Sequence, residues 1–213
     1  MVTETVSIIG ASYLQPIADL VDRALRWPAT KRGAPSALYY DNAYSVSIVL
    51  LLAALVESYA TRVRYFKGMP TGIARSTVAQ YLKGVFPDFR LMKALTEVFV
   101  LRDAIFHNHL WTVDFTYRPM RVKSATLVPH REDTKFKSAV RTGGTRTQTL
   151  KLHIVPTRVD RRDTVKVLEV VWKTLLFIES KDRRYCYVSD HNVSFRGRMK
   201  PFAEVQSVLA SAL

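Results

Sequence analysis

Residues 47–57 read SIVLLLAALVE. Wound at 3.6 residues per turn, this stretch puts apolar side chains on nearly every face. A helix without a polar face has to be surrounded by other elements, so its reading decides the architecture. The apolar run from Val46 to Val56 is interrupted by Ser47 and closed by Glu57. It falls short of the roughly 20 apolar residues that span a bilayer, so it is expected to be the central helix of a bundle. Extended outward, the helix is predicted from Ser36, which follows Pro35 and can cap it, to about Phe66, where KGMPTG ends it.

The flanking sequence supplies the neighbours. Ser12–Trp27 carries Leu14, Ile17, Ala18, Val21 and Leu25 at helical spacing. Shorter and longer helices are predicted at Ile73–Val85 and Phe89–His109, and another starts at Asp160 or Asp163 and runs to about Ser180. Between them the period changes. WTVDFTY (111–117), RVKSATLV (121–128) and TQTLKLHIV (147–155) alternate and are rich in β-branched residues, with Gly143 and Gly144 marking a turn. The expectation is one mainly α domain: a helical core at about 36–110 and 160–180, a β-strand insertion at 111–156, and a basic segment with a short C-terminal helix at 181–213.

The chain of 213 residues is 48% hydrophobic and carries a net charge of +14. That is enough apolar material for a core, and a charge that suits a phosphate-rich partner. The charge is uneven: residues 1–110 hold 12 basic and 8 acidic side chains, residues 111–213 hold 20 and 10. Cys186 is the single cysteine, which fits a reducing compartment, and the N-terminus MVTETVSIIG lacks a basic leader region, so a cytoplasmic location is expected. No Cys/His cluster has zinc spacing and no Gly-rich phosphate loop occurs, so neither metal nor cofactor is expected.

Residues 101–110, LRDAIFHNHL, hold the candidate chemistry. An arginine and a following histidine with four to six residues between them is a weak pattern by itself. It occurs here as Arg102/His107, Arg102/His109, Arg146/His153 and Arg184/His191. Only Arg102 stands in a long amphipathic helix with a short polar residue, Asp103, directly after it. Arg102 and His109 share a helix face; Arg102 and His107 converge only where the helix ends. His130, His153 and His191, taken singly, read as packed or surface histidines.

Two long helices with Arg-Asp-x-x-x-His near the end of the second resemble the HEPN superfamily. That resemblance implies a helical bundle acting as a metal-independent endoribonuclease of toxin–antitoxin or phage-defence type, dimeric with a composite site and in some cases held by an antitoxin protein. It implies His107 as general acid or base, Arg102 as phosphate clamp, Asp103 as orienting group and His109 as auxiliary. The products would be a 2′,3′-cyclic phosphate and a 5′-hydroxyl. The sequence departs from the pattern in its β segment and in His109, where partnered members often have tyrosine. The bland alternative pairs Arg102 with Glu97, Asp103 or a distant carboxylate, and leaves the histidines as helix C-terminal residues.

Two basic segments are candidate RNA contacts. Residues 131–151 include Arg141 and Arg146; residues 181–200 include Arg183, Arg184, Arg196 and Arg198 among Tyr185, Tyr187 and Phe195. Cations for phosphates and aromatics for bases suit RNA. The rivals are a non-catalytic RNA-binding or adaptor module, and a helix-turn-helix regulator using ARSTVAQYLKG (74–84) with Ser76, Thr77 and Gln80 outward.

Overall fold

The computed structural model describes residues 10–68, 77–106, 111–118, 120–127, 134–140 and 144–213. Its order is a 3-10 turn (Gly10–Tyr13), α1 (Leu14–Ala24), α2 (Tyr39–Lys67), α3 (Val78–Val85), α4 (Met92–Phe106), β1 (Trp111–Tyr117), β2 (Met120–Leu127), α5 (Thr134–Ala139), a 3-10 turn (Pro156–Arg158), α6 (Arg161–Lys181), β3 (Asn192–Phe195), β4 (Arg198–Pro201) and α7 (Phe202–Ser211). The protein is mainly helical, with small antiparallel sheets and a C-terminal helix.

Helix α2 is the axis. Its 29 residues rise roughly 44 Å, and α1, α4 and α6 pack along it. Ile48, Val49, Leu52, Leu55, Val56, Tyr59 and Val63 are all but fully buried. Each large apolar side chain so buried contributes about 1.5–3 kcal/mol. By length and composition alone α2 could cross a membrane; half of its most apolar window is buried against the rest of the chain.

Polar side chains on the helices hold the loops between them. Asn42 Nδ2 donates to the carbonyls of Pro156 and Val159, both at 2.8 Å. Glu97 of α4 accepts the backbone N–H groups of Thr149 (2.5 Å) and Leu150 (2.7 Å). Glu179 of α6 accepts those of Val188 and Ser189, each at 3.0 Å. Asp41 Oδ2 accepts from Thr30 N (2.9 Å) and Thr30 Oγ1 (2.6 Å), while Asp41 Oδ1 lies 3.5 Å from Arg161 Nε. Arg161 in turn donates to the carbonyls of Ala24 and Trp27. Burial of Asn42, Glu97 and Glu179 is met by these hydrogen bonds, while Asp41 Oδ1 and Arg161 Nε have only their ionic contact with each other.

Helix α6 starts with a reciprocal cap. Asp160 accepts from Arg162 N and Asp163 N, and Asp163 accepts from Asp160 N. Both aspartates considered for the cap therefore take part in it.

Several expectations need correction. The central helix starts at Tyr39, with Leu38 and not Ser36 at its N-cap position. Thr30 Oγ1, in the preceding loop, accepts the N–H of the N-cap residue Leu38 itself. Residues 147–155 are not a strand. They turn back on themselves through Lys151, whose φ is 57°, and pair only as isolated bridges, Val140 with Thr147 and Arg146 with His153. The insertion is therefore one hairpin, β1–β2, followed by α5 and this tight loop. A second hairpin, β3–β4, lies in the segment read as irregular. Arg196 (φ 51°) and Gly197 (φ 73°) form its two-residue turn, both in the left-handed region that such a turn requires.

Two outcomes test this packing. Asp41→Ala leaves Arg161 buried without its carboxylate and is expected to lower the unfolding free energy by about 3–5 kcal/mol in urea titration. Burial also pushes the Cys186 thiol and the Tyr59 hydroxyl up from their ordinary values. The unfolded chain then loses protons that the folded chain keeps, so stability falls as pH rises above the usual thiol value of 9.0. Melts at pH 8 and pH 10 should show a smaller loss for Cys186→Ala than for the wild type.

Candidate functional site

Arg102 sits near the end of described α4, at the edge of a face formed by Leu95, Val98 and Leu101, which are fully buried. Its side chain is 28% exposed. The guanidinium packs over the Phe99 ring at 5.3 Å. Its Nε lies 3.0 Å from Asp103 Oδ1, in ionic contact but off the line of a hydrogen bond. Nη2 is 4.0 Å from Glu57 Oε2 on α2. The other Asp103 oxygen pairs with Lys135 of α5. Asp103 thus stands between Arg102 and Lys135, in ionic contact with both. Glu97, a conceivable rival partner, is spent on the 149–150 backbone. His107 and His109 lie outside the described residues, as do His130, Arg141 and Ser76.

The cations of 181–200 are largely met by nearby carboxylates. Lys181 pairs with Asp88 at 2.5 Å, Arg183 with Asp190 at 3.2 Å, Arg184 with Asp182 at 2.6 Å and Lys200 with Glu204 at 2.6 Å; Arg196 Nε is 3.8 Å from Asp22. The Lys181 contact holds the Asp88 carboxyl below its usual range, and Arg184 does the same for Asp182. Among the described residues, Arg198 alone of these six cations has no such pair. The aromatic interleaving is real: Arg183 stacks over Tyr187 at 4.9 Å and Arg196 over Phe195 at 5.5 Å. Phe195 and Tyr185 are nevertheless buried, so of the three aromatics only Tyr187 offers an exposed ring.

Of the residues that the helix-turn-helix reading sets outward, Gln80 is exposed and Thr77 part-exposed; the two close a capping box on α3, an eight-residue helix that buries Val78, Ala79, Tyr81 and Leu82.

A cleft of about 400 Å³ forms where the 30–37 loop, the 156–158 turn, residues 146 and 153 and the start of α6 meet. It was not anticipated. Lys31, Arg32, Arg146, Arg158, Arg162 and Lys166 line it, against two carboxylates, Asp160 and Asp163. At its wall, mostly buried His153 sets Nδ1 2.9 Å from Asp163 Oδ2, while its own N–H donates to Asp163 Oδ1 at 3.2 Å. A carboxylate can only accept, so Nδ1 carries the hydrogen and Nε2 is the free position. The bridge between Arg146 and His153 sets these two residues opposite one another. The Arg146/His153 spacing was the visible signal. Its weight was hidden because Asp163 reads from sequence only as a helix cap.

His153, Asp160 and Asp163 offer ligand atoms within 4.8 Å of one another. Both carboxylates already accept capping N–H groups, and six cations surround them, so the charge favours an anion over a metal ion there.

Comparison with protein-family models, curated proteins and solved structures gives no match.

The local pairing in 181–200 has a measurable consequence. Arg183→Gln with Arg184→Gln should leave the salt dependence of RNA binding nearly unchanged. Arg198→Gln should reduce the slope of log K against log salt by about 0.7, the value for one contact to a single strand. Fluorescence anisotropy across a salt series reads both.

Proposed function

We propose that the protein is a HEPN-like, metal-independent endoribonuclease that cleaves RNA by attack of the 2′-hydroxyl on the adjacent phosphodiester. The observation that carries this reading is the contact of Asp103 with Arg102, which holds a permanent cation in a defined, part-buried position. In the sequence Arg102 precedes His107 by five residues and His109 by seven, and histidine can move protons near neutral pH. Arg102 would take the charge that develops on the phosphate oxygens. His107, with His109 as auxiliary, would withdraw the 2′-hydroxyl proton or return one to the departing 5′-oxygen.

One arginine per chain is a thin site, and the reading includes a second copy that completes it. The part-exposed stripe Ser47, Leu50, Ala54 and Glu57 of α2 leads to Arg102 and is the surface assigned to that pairing. An antitoxin protein or a phage-defence setting follows from the resemblance alone.

A second reading has its own observation. Arg102 and Lys135 are matched by Asp103 and Glu57, so the cluster is charge-balanced without a phosphate. That favours a non-catalytic RNA-binding module, with the network tying α2, α4 and α5 together.

Cleavage of a mixed tRNA and mRNA pool in EDTA separates them. Wild type should cut and leave cyclic phosphate ends. His107→Ala and Arg102→Ala should fold but lose at least a hundredfold in rate, the scale of one proton-transfer or charge-stabilising group. Binding without cutting, or unimpaired variants, would support the non-catalytic module.

A further inference from the structure

A group of cations without a charged partner lies away from Arg102, beside Arg162, which pairs with Asp160 at 3.1 Å. Around the cleft at the start of α6, Arg146 Nη1 donates to the carbonyl of Lys151 at 3.2 Å and Lys166 Nζ to that of Leu150 at 2.8 Å; neither partner is charged. Among the described residues, Lys31 and Arg32 have no ion pair. Arg158 Nε is buried with no hydrogen-bond partner. Burial lowers the Arg158 pKa and nearby Arg146 lowers it further, while Asp163 opposes both. Two guanidinium groups close enough to repel, with a buried donor unspent, are costly unless an anion joins them.

Other features narrow the anion. Turn Lys31–Ala34, closed by Ala34 N to Lys31 O at 3.2 Å with Gly33 at φ 82°, presents Lys31 and Arg32 from the opposite wall. That wall is tied to the turn carrying Arg158 by Ala37 N donating to Thr157 O at 2.9 Å. The same loop is bounded by Trp27 and Tyr40, which stack at 3.8 Å and remain part-exposed, a platform of the kind nucleobases use. Guanidinium forks match phosphate oxygens. His153, held by Asp163 through Nδ1, leaves Nε2 unspent, and in its imidazolium form it can donate from there to a phosphate oxygen.

We propose that this cleft binds the phosphate group of a nucleotide, with Arg146 and Arg158 as its main ligands and His153, fixed by Asp163, as its hydrogen-bonding partner. The site does not depend on the Arg102 centre. The nucleotide has two sources, a free molecule or a residue of an RNA chain, and the chemistry they share is the phosphate.

Calorimetric titration of the full chain with 5′-AMP, adenosine and a ten-nucleotide RNA without terminal phosphates tests it. The variants are Arg158→Gln and His153→Gln, with Arg184→Gln as control and thermal melts to verify folding. Should His153→Gln fail to fold, Arg158→Gln decides, because its Nε has no partner to lose. The expected result is that AMP binds, adenosine does not, and Arg158→Gln weakens AMP at least tenfold while Arg184→Gln does not. If the RNA is indifferent to the variants, the cleft takes a free nucleotide. If the RNA loses at least tenfold in parallel, the cleft takes a backbone phosphate. Binding of AMP no tighter than adenosine, together with RNA affinity unchanged in Arg158→Gln, overturns the proposal.

Discussion

The ion pair of Asp41 with Arg161 governs one end of the molecule. Both side chains are buried, and each is surrounded by backbone from another segment: Thr30 on one side, Ala24 and Trp27 on the other. The end of α1, the loop after it, the first turn of α2 and the first turn of α6 are thereby fixed to one another. A buried pair of this kind adds little net stability compared with apolar packing, but it tolerates few alternative arrangements. The walls of the basic cleft are built from two of those four segments. Its shape is therefore inherited from a structural contact that a nucleotide need never touch.

The protein separates the amount of positive charge from its availability. The segment 181–200 is the most basic and aromatic stretch to the eye, yet its side chains are mostly matched within a few residues or across to α1 and the 87–88 turn. Around the cleft, Asp163 is taken up by backbone N–H groups and His153, and Asp160 by backbone N–H groups and Arg162, so Lys31, Arg32, Arg146, Arg158 and Lys166 keep their field. Arg102 is intermediate, oriented and neutralised by the same aspartate. A polyanion would be attracted by the whole surface and held where the charge is unspent.

Sequence reasoning reached the parts of this structure governed by local rules. The apolar circumference of α2, the paired aspartates before α6 and the period of α4 are each contained in a few neighbouring residues, and each helix formed, with α2 and α4 each starting three residues later than expected. Residues 147–155 misled because alternation reports that one side is buried, with Thr147, Leu152 and Ile154 inside, and says nothing about a partner strand. Glu97, a distant side chain on α4, supplies the loop's hydrogen bonds instead. The β3–β4 turn was readable in principle from Gly197 between Val193–Phe195 and Met199, but basic composition concealed the pattern. The Asp163–His153 contact was not readable. It needs an aspartate to serve a helix start and an imidazole together, which only the folded chain reveals.

The side-chain amide of Gln15 bonds both ways to the backbone of Ser194, donating to its carbonyl at 2.9 Å and accepting its N–H at 2.8 Å. It thus behaves like a fragment of neighbouring strand laid on β3, and α1 also packs on α7. The first helix of the bundle is therefore completed by elements made some 180 residues later. During synthesis α2 can cover one side of α1 early, but the side that meets β3 and α7 stays uncovered until the last hairpin and helix have left the ribosome. Final closure is a late, long-range event, the kind of step that slows folding and gives chaperones time to act.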